Sequence, residues 1–131
     1  EDLNSEVDIH STSTYALANM ISKDLVAASS KPLVLAILAE GESYGYAIIQ
    51  RVRELSDEEI EWTDGMLYPV LHRLEKQKLI QSKWRRSETG RERKYYMIRR
   101  RGIKAVKEHQ TQWKVVYATL MQLWEAEPCL T

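Results

Sequence analysis

A mainly α-helical fold with one small β-hairpin is what this 131-residue sequence predicts, and three observations point there. Leu67, Val70, Leu71 and Leu74 recur at three- and four-residue steps, which puts them on one face of a short helix within residues 63–78. Two strand-like runs follow, Ile80–Arg85 and Lys94–Ile98, separated by the turn residues of Ser87–Gly90. Arg85, Arg86, Arg91, Arg93 and Lys94 ring the tip of that hairpin. A helix with a polar outer face followed by a basic hairpin is the arrangement of a winged helix-turn-helix. One further helix before this unit and a long one after it complete the expected architecture. The expected divisions are an acidic arm at 1–13, an amphipathic helix at 14–29, the winged-helix unit at 30–101 and a C-terminal helix at 102–127.

In chain order, residues 1–13 are acidic and polar with scattered apolar residues, as in a flexible arm. From Thr14 the pattern tightens: Leu17, Met20, Ile21, Leu25 and Ala28 form one stripe of an amphipathic helix. Ser29-Ser30-Lys31-Pro32 is expected to break it, with Ser30 capping a new helix and Pro32 in its first turn. Leu33–Ala39 is apolar nearly all round, as a central core helix would be. Glu40-Gly41-Glu42 ends it, and Ser43 is expected to cap a helix whose Ala47, Ile48, Val52 and Leu55 face inward. Ser56–Glu59 reads as a solvated acidic turn, and Ile60-Glu61-Trp62 alternates as a short strand pairing with the hairpin would.

Thr63 can cap the next helix and Gly90 suits the hairpin turn. From Gly102 a long helix is expected to reach about Glu125. Its Ile103, Val106, Gln110, Trp113, Tyr117, Leu120 and Trp124 keep one seam facing a partner, as in a coiled coil. Val116 and Leu123 widen that seam. A face so wide predicts a homodimer, with Leu17, Ile21, Val106, Trp113, Tyr117, Leu120 and Trp124 at the interface. The competing reading is that both helices simply pack on the same subunit.

A net charge of zero hides a sharp asymmetry. Residues 1–65 hold thirteen acidic side chains against four basic, whereas residues 66–107 hold fourteen basic against three acidic. A basic segment confined to a helix–hairpin unit implies a local polyanion site, best met by double-stranded DNA. Tyr68 and Pro69 lie in the first turns of the helix, where base edges are usually met. The Tyr68 hydroxyl can bond a base or phosphate, and Pro69 can touch a thymine methyl. His72, Arg73 and Lys76 follow as phosphate contacts, with an ion pair to Glu75 or Glu92 as the other reading of Arg73. Tyr44 can bring its hydroxyl and a helix start to a phosphate, and Gly65 either admits a close backbone approach or tightens the helix start. Arg91, Arg93 and Lys94 neutralise backbone charge or enter the minor groove. Of Tyr95 and Tyr96, one faces the core and the other outward.

Enzymatic function has little support. His10, His72 and His109 are far apart in sequence, none lies beside a Ser or Cys nucleophile, and there is no Gly-rich phosphate loop, HExxH or paired cysteine. No cofactor or metal is expected. Cys129 is the only cysteine, so no intrachain disulfide can form and a reducing, cytoplasmic setting is expected. No apolar run is long enough for a membrane helix. Two copies of Trp113 meeting across a dimer axis would form an aromatic-walled cleft where a flat apolar ligand stacks, with Tyr117 as the second effector-binding candidate; a plain aromatic knob in the helix seam is the other reading of Trp113.

Tyr44-Gly45-Tyr46, Gly65-Met66-Leu67-Tyr68-Pro69, Arg73-Leu74-Glu75, Leu79-Ile80 and Gly90-Arg91-Glu92-Arg93-Lys94-Tyr95-Tyr96 together resemble the PadR family of bacterial transcriptional regulators, over about residues 31–105. The resemblance implies a winged-helix dimer that represses promoters and leaves DNA on binding a small molecule. The single C-terminal helix resembles the short subgroup, some members of which hold aromatic ligands at the dimer interface with a Trp of that helix; Trp113 sits at about the matching place. Met66 stands where the family usually has Thr, Lys78 where Gly is common, and Arg99-Arg100-Arg101-Gly102 where a Thr-containing cap is usual. The other function consistent with the sequence is a dimeric protein–protein adaptor built on the same scaffold.

Overall fold

The computed structural model describes residues 21–130. Their elements run α1 (Lys23–Glu40), β1 (Ser43–Tyr44), α2 (Gly45–Leu55), α3 (Asp64–Lys76), β2 (Ile80–Arg86), β3 (Glu92–Ile98) and α4 (Arg100–Glu125). The antiparallel sheet has the order β1-β3-β2, with Ser43 opposite Tyr96, and Ile80 to Arg86 paired against Ile98 to Glu92. One apolar core lies under α1, α2, α3 and the base of the sheet, around Val34, Leu35, Leu38, Ile48, Leu71 and Ile80. The arm at 1–13 and the candidate interface residue Leu17 lie outside the described residues.

The expected break at Ser29–Pro32 does not occur: α1 runs unbroken through Pro32. Ser22 caps it by accepting from the Leu25 N–H at 3.0 Å, so Ile21 precedes the helix. Ser30 is not a cap. It is buried, and its hydroxyl donates back to the Ala27 carbonyl at 3.0 Å, while Ser29 donates to Leu25 at 2.8 Å. Pro32 forfeits one backbone hydrogen bond. Val34, Leu35, Ile37 and Leu38, just beyond it, are buried and anchor the second half to the core.

Ser43 is not a cap either. It and Tyr44 add a short strand to β3, and α2 begins at Gly45 with no side-chain cap. Because β1 takes this edge of the sheet, Ile60–Trp62 is not a strand; Trp62 is buried in the core instead. Leu55, expected inside, is exposed at the end of α2. The turn after α2 puts Asp57 and Glu58 in the left-handed region, with φ of 56° and 67°. Arg53 reaches Glu58 at 3.8 Å and Glu61 at 3.6 Å there.

The helix–hairpin unit forms as the residue pattern predicts. Thr63 caps α3 through its hydroxyl, which accepts from the Met66 N–H at 3.3 Å, and Leu67, Val70, Leu71 and Leu74 are all buried. The helix closes with two bonds: the Leu79 N–H donates to Leu74, and the Lys78 N–H to Glu75, both at 3.0 Å. This is the reverse turn that usually carries glycine at its left-handed residue. Lys78 occupies that position with φ of 64°. The hairpin turn is made at Gly90, with φ of 86°.

At 26 residues, α4 begins at Arg100, not Gly102, with Arg99 before it and no side-chain cap. Its first turns pack Ala105 and Val106 on the core, and it lies against α1. Beyond that it carries an uncovered apolar stripe: Val116 50 %, Tyr117 62 %, Leu123 67 % and Trp124 66 % exposed. Leu120 is half-buried. So α1 and α4 do meet within one subunit, and most of the seam remains open. Val106 is the exception among the expected interface residues, since its own core takes part of it.

Candidate nucleic-acid interface

The outer face of α3 follows from its inner face. With the four buried residues turned to the core, Gly65, Pro69, His72 and Lys76 recur at four-, three- and four-residue steps along the opposite ridge, and all four are exposed. Tyr68 lies on the side of this ridge nearer the wing, 45 % exposed. Arg73 lies on the other side, facing α1, where it lines a groove with Ile21, Val26, Met66 and Gln77. Arg73 forms no ion pair among the described residues; Glu75 instead accepts from the Ser82 hydroxyl at 2.5 Å.

Two features of the ridge leave its backbone open. A Cβ at Gly65 would meet only the Thr63 hydroxyl, 3.9 Å away, so nothing within the subunit demands glycine there. Pro69 has no N–H to give the carbonyl of Gly65, four residues back in the helix. The start of α3 therefore presents backbone with little side-chain cover on its exposed side.

The wing supplies the charge. Arg91, Arg93 and Lys94 make no ion pairs among the described residues. Arg85 is used internally: it pairs with Glu42 and lies 4.2 Å from the Tyr95 ring centre. Arg93 stacks 4.2 Å over the Tyr44 ring, whose edge meets Tyr95 at 5.5 Å. The contact with Tyr44 holds the Arg93 guanidinium in place while leaving its N–H edge free to donate. Tyr95 thus faces outward, and Tyr96 is the buried one of the pair. Burial first, then the neighbouring Tyr68 and Glu75, push the Tyr96 hydroxyl up to about 12.

Between wing and helix lies a cleft of 690 Å³ that brings together Tyr44, Tyr68, Arg91, Arg93 and Lys94. Pro69, His72, Arg73 and Lys76 are not part of it and continue the surface along α3. Gly45 is what lets the cleft form: a Cβ there would collide with the Tyr68 hydroxyl and lie 2.9 Å from its ring carbon Cζ. The sequence reading did not assign Gly45 a role, nor Trp84, which lines the cleft and is 63 % exposed. Alternation along β2 puts Trp84 on the same face as Ile80, a signal for burial, but the core ends before it.

A second cavity, of 310 Å³, lies between α1 and α4, lined by Pro32, Leu33, Ala36, Val106, His109 and Trp113 among others. Tyr117, one turn on, does not line it. Burial and the charge of Lys31 lower the His109 pKa against the opposing pull of Glu108, and its Nδ1 is buried with no hydrogen-bond partner among the described residues. No cluster of three or more potential metal ligands occurs among the described residues, and no described helix is long and apolar enough to cross a membrane.

The sequence profile of the transcriptional regulator PadR-like family matches residues 34–108. The chain is similar to the solved structure of a transcriptional regulator from Clostridium thermocellum, with 33 % identity, covering 78 % of this chain and 96 % of that one at a TM-score of 0.70. It is similar also to a PadR-like transcriptional regulator from Bacillus cereus, with 28 % identity, covering 80 % of this chain and all of that one at a TM-score of 0.71. An uncharacterized protein of Lysinibacillus sphaericus is 28 % identical over 97 residues, or 74 % of this chain and 89 % of the relative.

Proposed function

The chain belongs to the PadR-like family of transcriptional regulators, a family of DNA-binding proteins and not of enzymes, and from that premise we propose that it is a sequence-specific, homodimeric repressor released by a small aromatic or hydrophobic effector. The observation that carries the DNA-reading part is the exposed ridge of α3 beside three wing cations that have no acidic partner among the described residues. In this reading α3 enters the major groove, with Tyr68 and Pro69 at base edges, Gly65 admitting close approach, and His72, Arg73 and Lys76 toward phosphates. Tyr44, Arg91, Arg93 and Lys94 hold the backbone beside the wing.

Dimerisation follows from the open stripe on α4. A helix of 26 residues is about 39 Å long, and among the described residues Val116, Tyr117, Leu123 and Trp124 along it stay half or more exposed. Trp113, Tyr117, Leu120 and Trp124 meet a second copy, with Ile21 at the margin. The cavity beside Trp113 is the effector site: its walls are apolar, Trp113 offers a stacking face, and the His109 Nδ1 offers a hydrogen bond. Tyr117 lies next to it along the helix and completes it from the dimer seam. The effector acts by changing how α1 and α4 pack, and so the separation of the two reading heads.

Quantitative binding to a duplex selected by the protein from a randomised pool, and to random duplex, tests the reading. Tyr68→Ala should lose preference for the selected sequence, by about 1–3 kcal/mol, with little change on random DNA. If no duplex is selected at moderate salt, the DNA reading fails and the protein–protein adaptor takes its place.

A further inference from the structure

Trp84 has no role in the fold that explains it. It sits on β2 opposite Lys94, beyond the end of the core, with 63 % of its surface exposed. Tyr46, 65 % exposed, lies across the same cleft. Two large aromatic side chains are thus left open on one cation-lined cleft. The charge of the cleft is one-sided, with Arg91, Arg93 and Lys94 against Glu92 alone.

We propose that the cleft between the wing and α3 seats the sugar–phosphate strand that divides the major from the minor groove, and that Trp84 is the residue that packs against its deoxyribose. The inference rests on the DNA-binding reading and deepens it. With α3 in the major groove and the wing at the neighbouring minor groove, one backbone strand must cross the space between them. That space is this cleft. Its occupant has two chemistries: anionic phosphate oxygens, which Arg91 and Lys94 match, and the apolar carbon edge of a deoxyribose, which only a flat apolar side chain matches. Trp84 provides that face, and Tyr46 lines the cleft with it, its hydroxyl a donor for a flanking phosphate. Because every nucleotide carries the same sugar, the contact adds affinity and register without reading sequence.

The test compares the wild-type chain, Trp84→Ala and Trp84→Phe on the duplex selected by the wild type and on random duplex. Thermal unfolding of each confirms that the exposed position tolerates the change. Trp84→Ala should lose on the order of tenfold in affinity on both duplexes. Its salt slope should match the wild type, since no charge is removed. Hydroxyl-radical cleavage should show the deoxyriboses beside the wing losing protection while the rest of the footprint stays, and Trp84→Phe should restore most of both effects. Unchanged affinity and footprint in Trp84→Ala would overturn the inference and leave the DNA reading intact. So would a loss confined to the selected sequence, which would make Trp84 a base reader, or permanganate-reactive thymines beside the wing, which would mean an unstacked base fills the cleft. A wild-type chain that selects no duplex removes the DNA reading and this inference together.

Discussion

Gly45→Ala separates folding from DNA reading, because the two should move in opposite directions. Gly45 opens α2 and is buried under the Tyr68 ring. A new Cβ there would lie 2.9 Å from the Tyr68 Cζ and closer still to its hydroxyl, inside any real contact distance. Something must yield, and it is Tyr68, since the obstructing atoms are the far end of a side chain 45 % exposed. The helix itself gains: Gly45 has no positive φ, so alanine fits the backbone and lowers the entropy of the unfolded chain, worth about 0.4–1 kcal/mol. Loss of Tyr68 packing offsets part of that, and the fold should stay within about 1 kcal/mol of the wild type in denaturant unfolding. The displaced Tyr68 hydroxyl no longer meets its base edge. Affinity for a selected duplex should fall by about 1–3 kcal/mol, roughly 5- to 150-fold. Binding to random duplex should barely change. Wild-type affinity for the selected duplex would refute the placement of Tyr68 at a base. A fall in stability well beyond 2 kcal/mol would show instead that Tyr68 is locked where it stands.

Three further outcomes are expected. Arg91→Ala should weaken binding to all duplexes and lower the slope of log affinity against log salt by about 1, read by titrations at several salt concentrations; an unchanged slope would remove Arg91 from the backbone. Lys78→Gly should stabilise the fold by up to about 1 kcal/mol in urea unfolding, because it relieves a left-handed residue at the end of α3, and any destabilisation would contradict that account. Tyr96 is neutral in the folded chain up to about 12, above the ordinary tyrosine value. Its stabilising contribution is therefore complete below about pH 10 and lost as pH rises through about 12. Tyr96→Phe should lessen the alkaline loss of stability, and an identical alkaline profile in the variant would assign that loss to other groups.

Which parts of this were readable in advance depended on whether the signal was local. The face of α3 and the alternation of the hairpin arise from residues within a few positions of one another, and both elements form where the spacing puts them. The break expected at Ser30 and Pro32 rested on equally local signals, yet Val34, Leu35 and Leu38 hold the helix straight through by burial against elements distant in sequence. A two-residue strand such as Ser43–Tyr44 has no pattern of its own and exists only because β3 lies beside it. Of the surface residues, the ridge and the wing cations followed from helical and strand geometry. Gly45 and Trp84 did not, because their importance lies in where α2, α3 and the wing converge.

Sedimentation of the chain alone and with its selected duplex tests the central claim most directly, by counting chains per DNA. The account requires two chains in solution, joined along α4, and two chains on one duplex whose sequence repeats as an inverted pair about a helical turn apart. A chain that stays single at working concentrations, or that binds one per duplex without an inverted repeat, would contradict it.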